Sequence, residues 1–162
     1  MDMPNVLPPT LNLDLWRDKI NIGKQSASAN FSFYMGTSNT NIDEIKAIDP
    51  KEVCGIKIFM GSSTGDLHVD SEDPLNDLFK ESPVIITTHC EDDPMIKAME
   101  KQFLAQYGEK IPVEMHSEIR SREACLKSSK KAIELATRNN ACLLYTSPSP
   151  RDLSTSRMPS SA

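Results

Sequence analysis

Two polar residues stand out because each lies inside or at the end of an apolar run. Lys57 lies within residues 53–60 (Val-Cys-Gly-Ile-Lys-Ile-Phe-Met), and His89 directly follows residues 84–88 (Val-Ile-Ile-Thr-Thr). Short, β-branched runs of this kind are typical of buried parallel strands. A charged group buried in such a strand is costly unless it is paired or used in chemistry. We therefore interpret Lys57 and His89 as candidate residues of a metal centre.

Lys57 has the more specific chemistry. On a strand it would share one face with Gly55 and Phe59, and Ile56 and Ile58 would lie on the other face. Burial lowers the pKa of a lysine ammonium and so favours the neutral, reactive amine. Reaction of that amine with carbon dioxide gives a carbamate, whose two oxygens can bridge two metal ions. The alternative is an edge-strand lysine whose ammonium extends to water.

His89 would end its strand at the carboxyl end, where parallel α/β folds form their active sites. A neutral imidazole there is a good zinc ligand, since its second nitrogen can be held by an acceptor. The alternative is a half-buried histidine bonded to a loop carbonyl. The carboxylates that follow, at residues 91–93, are expected to form a helix N-terminal charge cluster. The other histidines, His68 and His116, lie in polar stretches and are expected to face solvent.

Helices and strands alternate along the chain, which predicts a parallel α/β fold. Such a fold is either a doubly wound sheet or part of a (β/α)₈ barrel. No GxGxxG or GxxxxGK[ST] motif favours a nucleotide-binding sheet, and the glycine-rich loop over 61–65 lacks the lysine of a phosphate loop. The predicted elements are, in order, a helix capped by Thr10, a strand over 29–36, a helix over 42–48 capped by Asn39 or Asn41, the Lys57 strand, a helix from 71 to about 79, the His89 strand, helices over 93–107 and 117–138, and a strand from 141.

The composition is that of an ordinary globular domain: 162 residues, 38% hydrophobic and 25% charged, with a net charge of −5. The acidic balance disfavours nucleic acid and anionic membranes as partners. No apolar stretch approaches the roughly 18 residues of a membrane span, and no secretory signal pattern is present. Four cysteines without CxxC spacing are typical of reduced thiols, so we expect a cytoplasmic protein.

Residues 143–162 differ in composition from the rest. They are rich in serine and proline and lack an apolar period, which predicts a disordered tail. The string also resembles the conceptual translation of sequencing-adapter DNA, in which case the native frame ends near Cys142. We therefore expect one folded domain over 1–142 and a non-native tail over 143–162.

Four short stretches form an ordered set of motifs. Residues 1–10 contain Met-Pro-Asn and Pro-Pro-Thr, and residues 55–65 read Gly-Ile-Lys-Ile-Phe-Met-Gly-Ser-Ser-Thr-Gly. Residues 86–91 read Ile-Thr-Thr-His-Cys-Glu, and residues 116–124 follow a His-x-x-x-Arg-x-x-Glu-Ala pattern. In this order and spacing the stretches resemble the metal-dependent dihydroorotases of the amidohydrolase superfamily. The resemblance extends from Met1 to about Ala141.

The resemblance implies a (β/α)₈ TIM barrel that holds two zinc ions bridged by carboxylated Lys57. His89 would be a second metal ligand, and Asn5 would contact the substrate carboxylate. The family interconverts dihydroorotate and N-carbamoyl-L-aspartate in pyrimidine biosynthesis. A metal-bridging hydroxide attacks the ring amide carbonyl, which the metals polarise.

Several family features have no counterpart in this sequence. These are the HxH pair and the arginine of the first strand, the histidine of the sixth and the general-base aspartate of the eighth, so no catalytic residue is assigned. A full barrel needs roughly 200–250 residues. We therefore expect a partial barrel, truncated at both ends, from the end of strand two to the start of strand six, and inactive by itself. The alternatives are a dihydropyrimidinase- or allantoinase-like amidohydrolase, or a non-catalytic α/β binding module. A homodimer of the full-length parent stays open.

Overall fold

Four parallel strands form a single sheet in the computed structural model, which describes residues 2–61, 67–69 and 71–144. The strands lie in chain order, with helical segments between successive strands, which is the connectivity of a barrel segment. The strands are β1 (Met35–Gly36), β2 (Ile56–Phe59), β3 (Ile86–His89) and β4 (Leu143–Leu144). The helices are α1 (Leu13–Ser26), α2 (Ile42–Lys46), α3 (Glu72–Glu81), α4 (Asp93–Tyr107), α5 (His116–Ile119) and α6 (Arg122–Asn139), with a 3₁₀ turn over Val113–Met115.

Strands β2 and β3 form the centre of the sheet. They pair along their whole length, from Ile56 opposite Ile86 to Phe59 opposite His89. Strands β1 and β4 add two-residue pairings on the two sides. Asp2 forms a parallel bridge with Phe33, so the first described residues lie beside the segment that leads into β1. The alternating pattern predicted from the sequence is confirmed as a parallel α/β sheet.

The main hydrophobic core lies between the sheet and the helices. Ile56, Ile58 and Ile86 point to this side and are fully buried. They are apolar at every second position, as strands with one face on a core require. Helices α2, α3 and α6 supply most of their core partners, which include Ile45, Leu75, Leu78, Phe79, Ala132 and Leu135, and Ile48 joins them from the turn after α2.

Helix α4 has the bounds that the sequence predicts, because both its ends carry clear signals. The Asp92 side chain caps the N-terminus by accepting a hydrogen bond from the Met95 amide at 3.1 Å, and Pro94 lies in the first turn. Gly108 ends the helix with a positive φ of 62°, which glycine adopts without steric cost.

The single helix predicted over 117–138 is wrong. The chain forms two helices, α5 and α6, separated at Arg120 and Ser121. Ser121 is extended (φ −70°, ψ 158°), and its hydroxyl accepts a hydrogen bond from the Ala124 amide at 3.2 Å. A serine that caps the following turn competes with continuation of the preceding helix. This N-cap role explains the break.

Two predicted caps are also wrong. Asn12, not Thr10, caps α1, because its side chain accepts a hydrogen bond from the Leu15 amide at 2.8 Å. Asn41 precedes α2 but makes no capping bond; its amide nitrogen donates to the carbonyls of Leu11 and Gly36. That side chain therefore ties the loop after β1 to the N-terminal segment.

The remaining predictions concern the strands and the tail. The strand predicted over 29–36 is short: only β1 and the bridge at Phe33 pair regularly. The strand predicted from residue 141 is confirmed as β4, which pairs with β3. The loop residues 62–66 and the tail residues 145–162 lie outside the described residues.

Candidate functional site

Lys57 and His89 lie on the same face of the sheet, opposite the helix-covered core. Lys57 pairs in register with Thr87, and Phe59 pairs with His89. Because strand residues alternate between faces, these four side chains share one face. The Lys57 Nζ lies 5.1 Å from the centre of the Phe59 ring, and the Phe59 and His89 ring centres are 6.1 Å apart. The structure thus brings the two predicted site residues to one surface, with Phe59 between them.

The Lys57 ammonium is buried in a central strand. The residue is only 7% exposed, so the alternative of an edge-strand lysine that extends to water is wrong. Burial lowers the pKa of Lys57, an effect that the nearby Cys90 thiol partly opposes when ionised. Among the described residues, no carboxylate forms an ion pair with Lys57. The side chain is therefore a desolvated amine with a reduced cost of losing its proton.

His89 is half-buried, and a carboxylate rather than a loop carbonyl binds it. Its Nε2 lies 3.0 Å from Glu91 Oε2, so the predicted alternative of a carbonyl partner is wrong. A carboxylate can only accept hydrogen bonds, which assigns the imidazole proton to Nε2. Nδ1 then carries the lone pair of the neutral ring and is the nitrogen that can act as a ligand.

Arg120 is a site residue to which sequence reasoning gave no role. Its Nη1 donates to Glu91 Oε2, the same oxygen that His89 contacts. The break between α5 and α6 brings Arg120 to this position, and the Asp92 amide bonds to the Ala124 carbonyl alongside it at 3.2 Å. The His-x-x-x-Arg-x-x-Glu-Ala pattern was the available signal. Without the helix break, however, its arginine could not be placed.

The acidic residues after β3 have two separate roles. Asp92 and Asp93 lie at the start of α4 and form ion pairs with Lys127 at 2.9 Å and Lys97 at 2.6 Å. The predicted helix N-terminal charge cluster is confirmed for these two residues. It is wrong for Glu91, which turns towards His89 and Arg120 instead.

Asn5 is exposed, and the adjacent Pro4 is the residue that approaches the site. A Cβ added at Gly36 would lie 3.0 Å from the Pro4 Cβ, which shows how closely the N-terminal segment covers β1. Gly36 is the register partner of Lys57. The segment that carries Asn5 therefore lies beside the strand next to Lys57.

Of the remaining histidines, His116 is exposed as predicted, whereas His68 is not the solvent-facing residue expected. His68 forms a parallel bridge with Phe59 and is only partly exposed. Its Nε2 is buried and finds no hydrogen-bond partner among the described residues. The tertiary structure thus places His68 beside the end of β2.

An open cleft of about 870 Å³ lies between α3, α6 and the start of α4. Its lining is mostly charged and includes Glu91 and His68, but neither Lys57 nor His89. Within the described part of the chain, no three His, Cys, Asp or Glu side chains come together to hold a metal. The four cysteines are free thiols and build no zinc site there.

No protein-family model matches the chain. Among curated proteins, an L-hydantoinase of Paenarthrobacter aurescens is 30% identical over 112 residues, covering 67% of this chain and 24% of the relative. A dihydroorotase of Methanosarcina mazei is 26% identical over 141 residues, covering 85% of this chain and 30% of the relative. A dihydroorotase of Methanothermobacter thermautotrophicus is 32% identical over 107 residues, covering 62% of this chain and 23% of the relative.

Solved structures with a similar fold come from the same group of enzymes as the sequence relatives. The L-hydantoinase (dihydropyrimidinase) of Arthrobacter aurescens superposes with a TM-score of 0.80 at 24% identity, over 88% of this chain and 32% of that protein. The dihydropyrimidinase of Brevibacillus agri superposes with a TM-score of 0.68 at 19% identity, with the same coverage. The chain is thus similar in sequence to proteins named dihydroorotase and hydantoinase, and in fold to solved hydantoinases and dihydropyrimidinases.

The predicted fold class is thereby confirmed: the parallel sheet is a segment of an amidohydrolase-type barrel. The chain spans roughly a quarter to a third of the length of these cyclic amidohydrolases. Relatives named dihydroorotase and hydantoinase match at similar identity, so the resemblance supports the family as a whole rather than the dihydroorotases alone. None of the described helices has the length and apolar composition of a membrane span.

Proposed function

We propose that this chain supplies part of the metal centre of a zinc-dependent cyclic amide hydrolase of the dihydroorotase type. The substrate would be dihydroorotate, interconverted with N-carbamoyl-L-aspartate in pyrimidine biosynthesis. The observation that carries the proposal is the buried Lys57, which has no ion-pair partner among the described residues, on the same sheet face as His89. An amine in this setting gains no stability from a carboxylate partner. A buried ammonium without such a partner is costly, and buried amines with a shifted pKa are typical of functional sites.

Lys57 would be the bridging ligand in its carboxylated form. The neutral amine attacks the carbon of carbon dioxide, an N–C bond forms, one C=O electron pair moves to oxygen, and the amine proton leaves to solvent. Because burial lowers the pKa of Lys57, the neutral amine is more accessible than in an exposed lysine. The product replaces a buried cation by a group with two anionic oxygens, which suits it to bridge two cations.

His89 would be the second ligand in this chain. The bond from Nε2 to Glu91 leaves Nδ1 for a cation, and a histidine whose other nitrogen donates to a carboxylate is the usual arrangement at zinc sites. Zinc bound here would supply Lewis-acid polarisation of the ring carbonyl and a water of lowered pKa. The remaining ligands and the general base would come from other parts of the complete protein.

Asn5 would bind the substrate. Its carboxamide can donate hydrogen bonds to a carboxylate, and its exposure leaves it accessible to a small molecule. The adjacent Pro4 lies against β1 next to Lys57, which keeps this segment near the proposed centre. The partner proposed is accordingly a small cyclic amide with a carboxylate, not a nucleic acid or a membrane.

A hydantoinase or dihydropyrimidinase activity is the second candidate. The observation that favours it is the 30% identity over 112 residues to a protein named L-hydantoinase. The Met-Pro-Asn stretch and the Gly-Ser-Ser-Thr-Gly loop favour dihydroorotase. Turnover of dihydroorotate and of hydantoin by the complete protein separates the two candidates. We expect dihydroorotate to be preferred, and a preference for hydantoin would contradict the choice of substrate.

Carboxylation of Lys57 is tested on this chain directly. Protein equilibrated with ¹³C-labelled bicarbonate and zinc should show a carbamate carbon resonance that disappears in Lys57→Arg. Lys51→Arg, at an exposed lysine of the same polypeptide, is the matched control and should keep the resonance. A spectrum without a carbamate signal in the complete protein would contradict the proposed metal centre.

A further inference from the structure

We propose that Glu91 and Arg120 are positioning residues for His89. Together they hold the neutral imidazole with its proton on Nε2 and leave Nδ1 as the nitrogen free to bind a cation. The inference deepens the proposed function and rests on it where it concerns zinc. The claim about the imidazole itself concerns only residues of this chain.

The three side chains converge on one carboxylate oxygen. His89 Nε2 lies 3.0 Å from Glu91 Oε2, and Arg120 Nη1 contacts that same oxygen. The Glu91 side chain is the most enclosed of the three at 17% exposure, compared with 34% for Arg120 and 43% for His89. A carboxylate in this position is shielded from water on two sides by its donors, which strengthens both hydrogen bonds.

Arg120 reaches Glu91 because of a defined backbone feature. Residues 91 and 120 are 29 positions apart, and they meet because α5 ends at Ile119 and α6 begins anew at Arg122. The bond from the Asp92 amide to the Ala124 carbonyl joins the same two segments one residue after Glu91. These backbone contacts hold the two segments together and so bring the Arg120 side chain within reach of Glu91.

The charges of the triad select one tautomer. Arg120 can only donate hydrogen bonds and the Glu91 carboxylate can only accept them. The His89 nitrogen that faces Glu91, Nε2, must therefore carry a proton. Without it, the lone pair of Nε2 would face a carboxylate lone pair at 3.0 Å, which is repulsive.

A purely structural role is the competing explanation. On that view the Arg120–Glu91 pair only ties the α5–α6 break to the end of β3, and His89 is an incidental third contact. The two explanations differ in what happens to the imidazole when the pair is removed. A purely structural role predicts that removing the pair lowers the stability of the protein and leaves the tautomer of His89 unchanged. A positioning role predicts that the tautomer changes while the protein stays folded.

Long-range ¹H–¹⁵N correlation spectra of metal-free, ¹⁵N-labelled protein at alkaline pH test the inference. His68→Gln and His116→Gln assign the three imidazoles. We expect His89 to be the Nε2–H tautomer in the wild type. Arg120→Met and Glu91→Gln should lose that single state and give a mixture of tautomers. A wild-type Nδ1–H tautomer, or a His89 pattern unchanged in both folded variants, would overturn the proposal.

Zinc affinity of the complete protein, which would carry the remaining proposed ligands, provides the second readout. Loss of an outer hydrogen-bond partner at a metal-binding histidine typically weakens zinc binding 10–100-fold, and we expect this for both variants. Arg122→Met, at an exposed arginine two residues away, is the control and should bind zinc like the wild type. Arg120→Lys keeps the charge if Arg120→Met fails to fold, and should weaken zinc binding less than Glu91→Gln. A wild-type protein with the Nε2–H tautomer that binds no zinc would refute the proposed function and leave the positioning role intact.

Discussion

The two faces of the sheet have opposite chemistry, although they are made by alternating residues of the same strands. On the helix-covered face, Ile56, Ile58 and Ile86 are fully buried in a continuous apolar core. On the other face, Lys57 and Thr87 are almost as buried but polar. The comparison teaches that burial alone does not distinguish a stabilising residue from a candidate functional one. What distinguishes them is whether the buried side chain has polar atoms that lack a hydrogen-bond or ion-pair partner.

Typical magnitudes show which face stabilises the sheet. Full burial of an isoleucine side chain contributes about 1.5–3 kcal/mol, whereas a buried polar group without a partner costs about 1–3 kcal/mol. The Thr87 hydroxyl has no hydrogen-bond partner among the described residues, and Lys57 has no ion-pair partner there. The helix-covered face must therefore offset the cost of the other face. The following substitutions test that difference.

The largest effect is expected on the helix-covered face. Ile58→Ala should lower the free energy of unfolding by about 2–5 kcal/mol, because it removes buried methyl groups and leaves a cavity in the core. Urea denaturation measures the change. Ile22→Ala, at a position 65% exposed, is the matched control and should stay within about 0.5 kcal/mol of the wild type. Equal effects of the two substitutions would contradict the assignment of the core face.

A change of opposite sign is expected at Lys57. Lys57→Met should raise the free energy of unfolding at pH 7 by about 1–3 kcal/mol in bicarbonate-free buffer, because an unpaired buried ammonium is replaced by an apolar side chain of similar length. Lys51→Met, at an exposed lysine, should have little effect. If Lys57→Met destabilises the protein while Lys51→Met does not, the ammonium has a stabilising partner.

The same variant has a defined pH dependence. Because burial lowers the pKa of Lys57 in the folded state below its ordinary value of 10.5, the unfolded chain binds the proton more readily. The stability of the wild type should therefore rise with pH between the folded-state pKa and 10.5. Lys57→Met lacks this rise, so its advantage should shrink as the pH approaches 10.5. An advantage that grows with pH would contradict the direction of the shift.

The smallest effects should come from two threonines that flank β2. Thr37 donates from Oγ1 to the Lys57 carbonyl at 3.1 Å, whereas Thr87 makes no hydrogen bond with a described residue. Thr37→Val should therefore cost about 1 kcal/mol, and Thr87→Val should gain a similar amount. Denaturation of both isosteric variants gives the comparison directly. A loss of stability in Thr87→Val would mean that its hydroxyl has a partner in the folded protein.

Much of the fold was predictable where local signals were strong. Helix α4 begins after Asp92 and ends before Gly108 because a capping carboxylate and a glycine with positive φ are encoded within one turn of each end. The prediction of a single helix over 117–138 was wrong because the sequence around Ser121 is compatible with a helix interior and with an N-cap. His68 was misplaced because its bridge to Phe59 links segments with no local pattern in common.

The sequence by itself determined that Lys57 and His89 lie in strand-forming segments and that Lys57 shares a strand face with Phe59, since alternation of side chains is a local property of a strand. The register of β3 against β2, which brings His89 to the same face, is tertiary. The sequence also carried the ordered motifs that relate the chain to cyclic amidohydrolases. Only the tertiary structure decided that Lys57 is buried in a central strand and that Glu91 turns from the helix to His89. It alone brought Arg120 to that carboxylate, because the contact depends on two segments 29 residues apart meeting at a helix break.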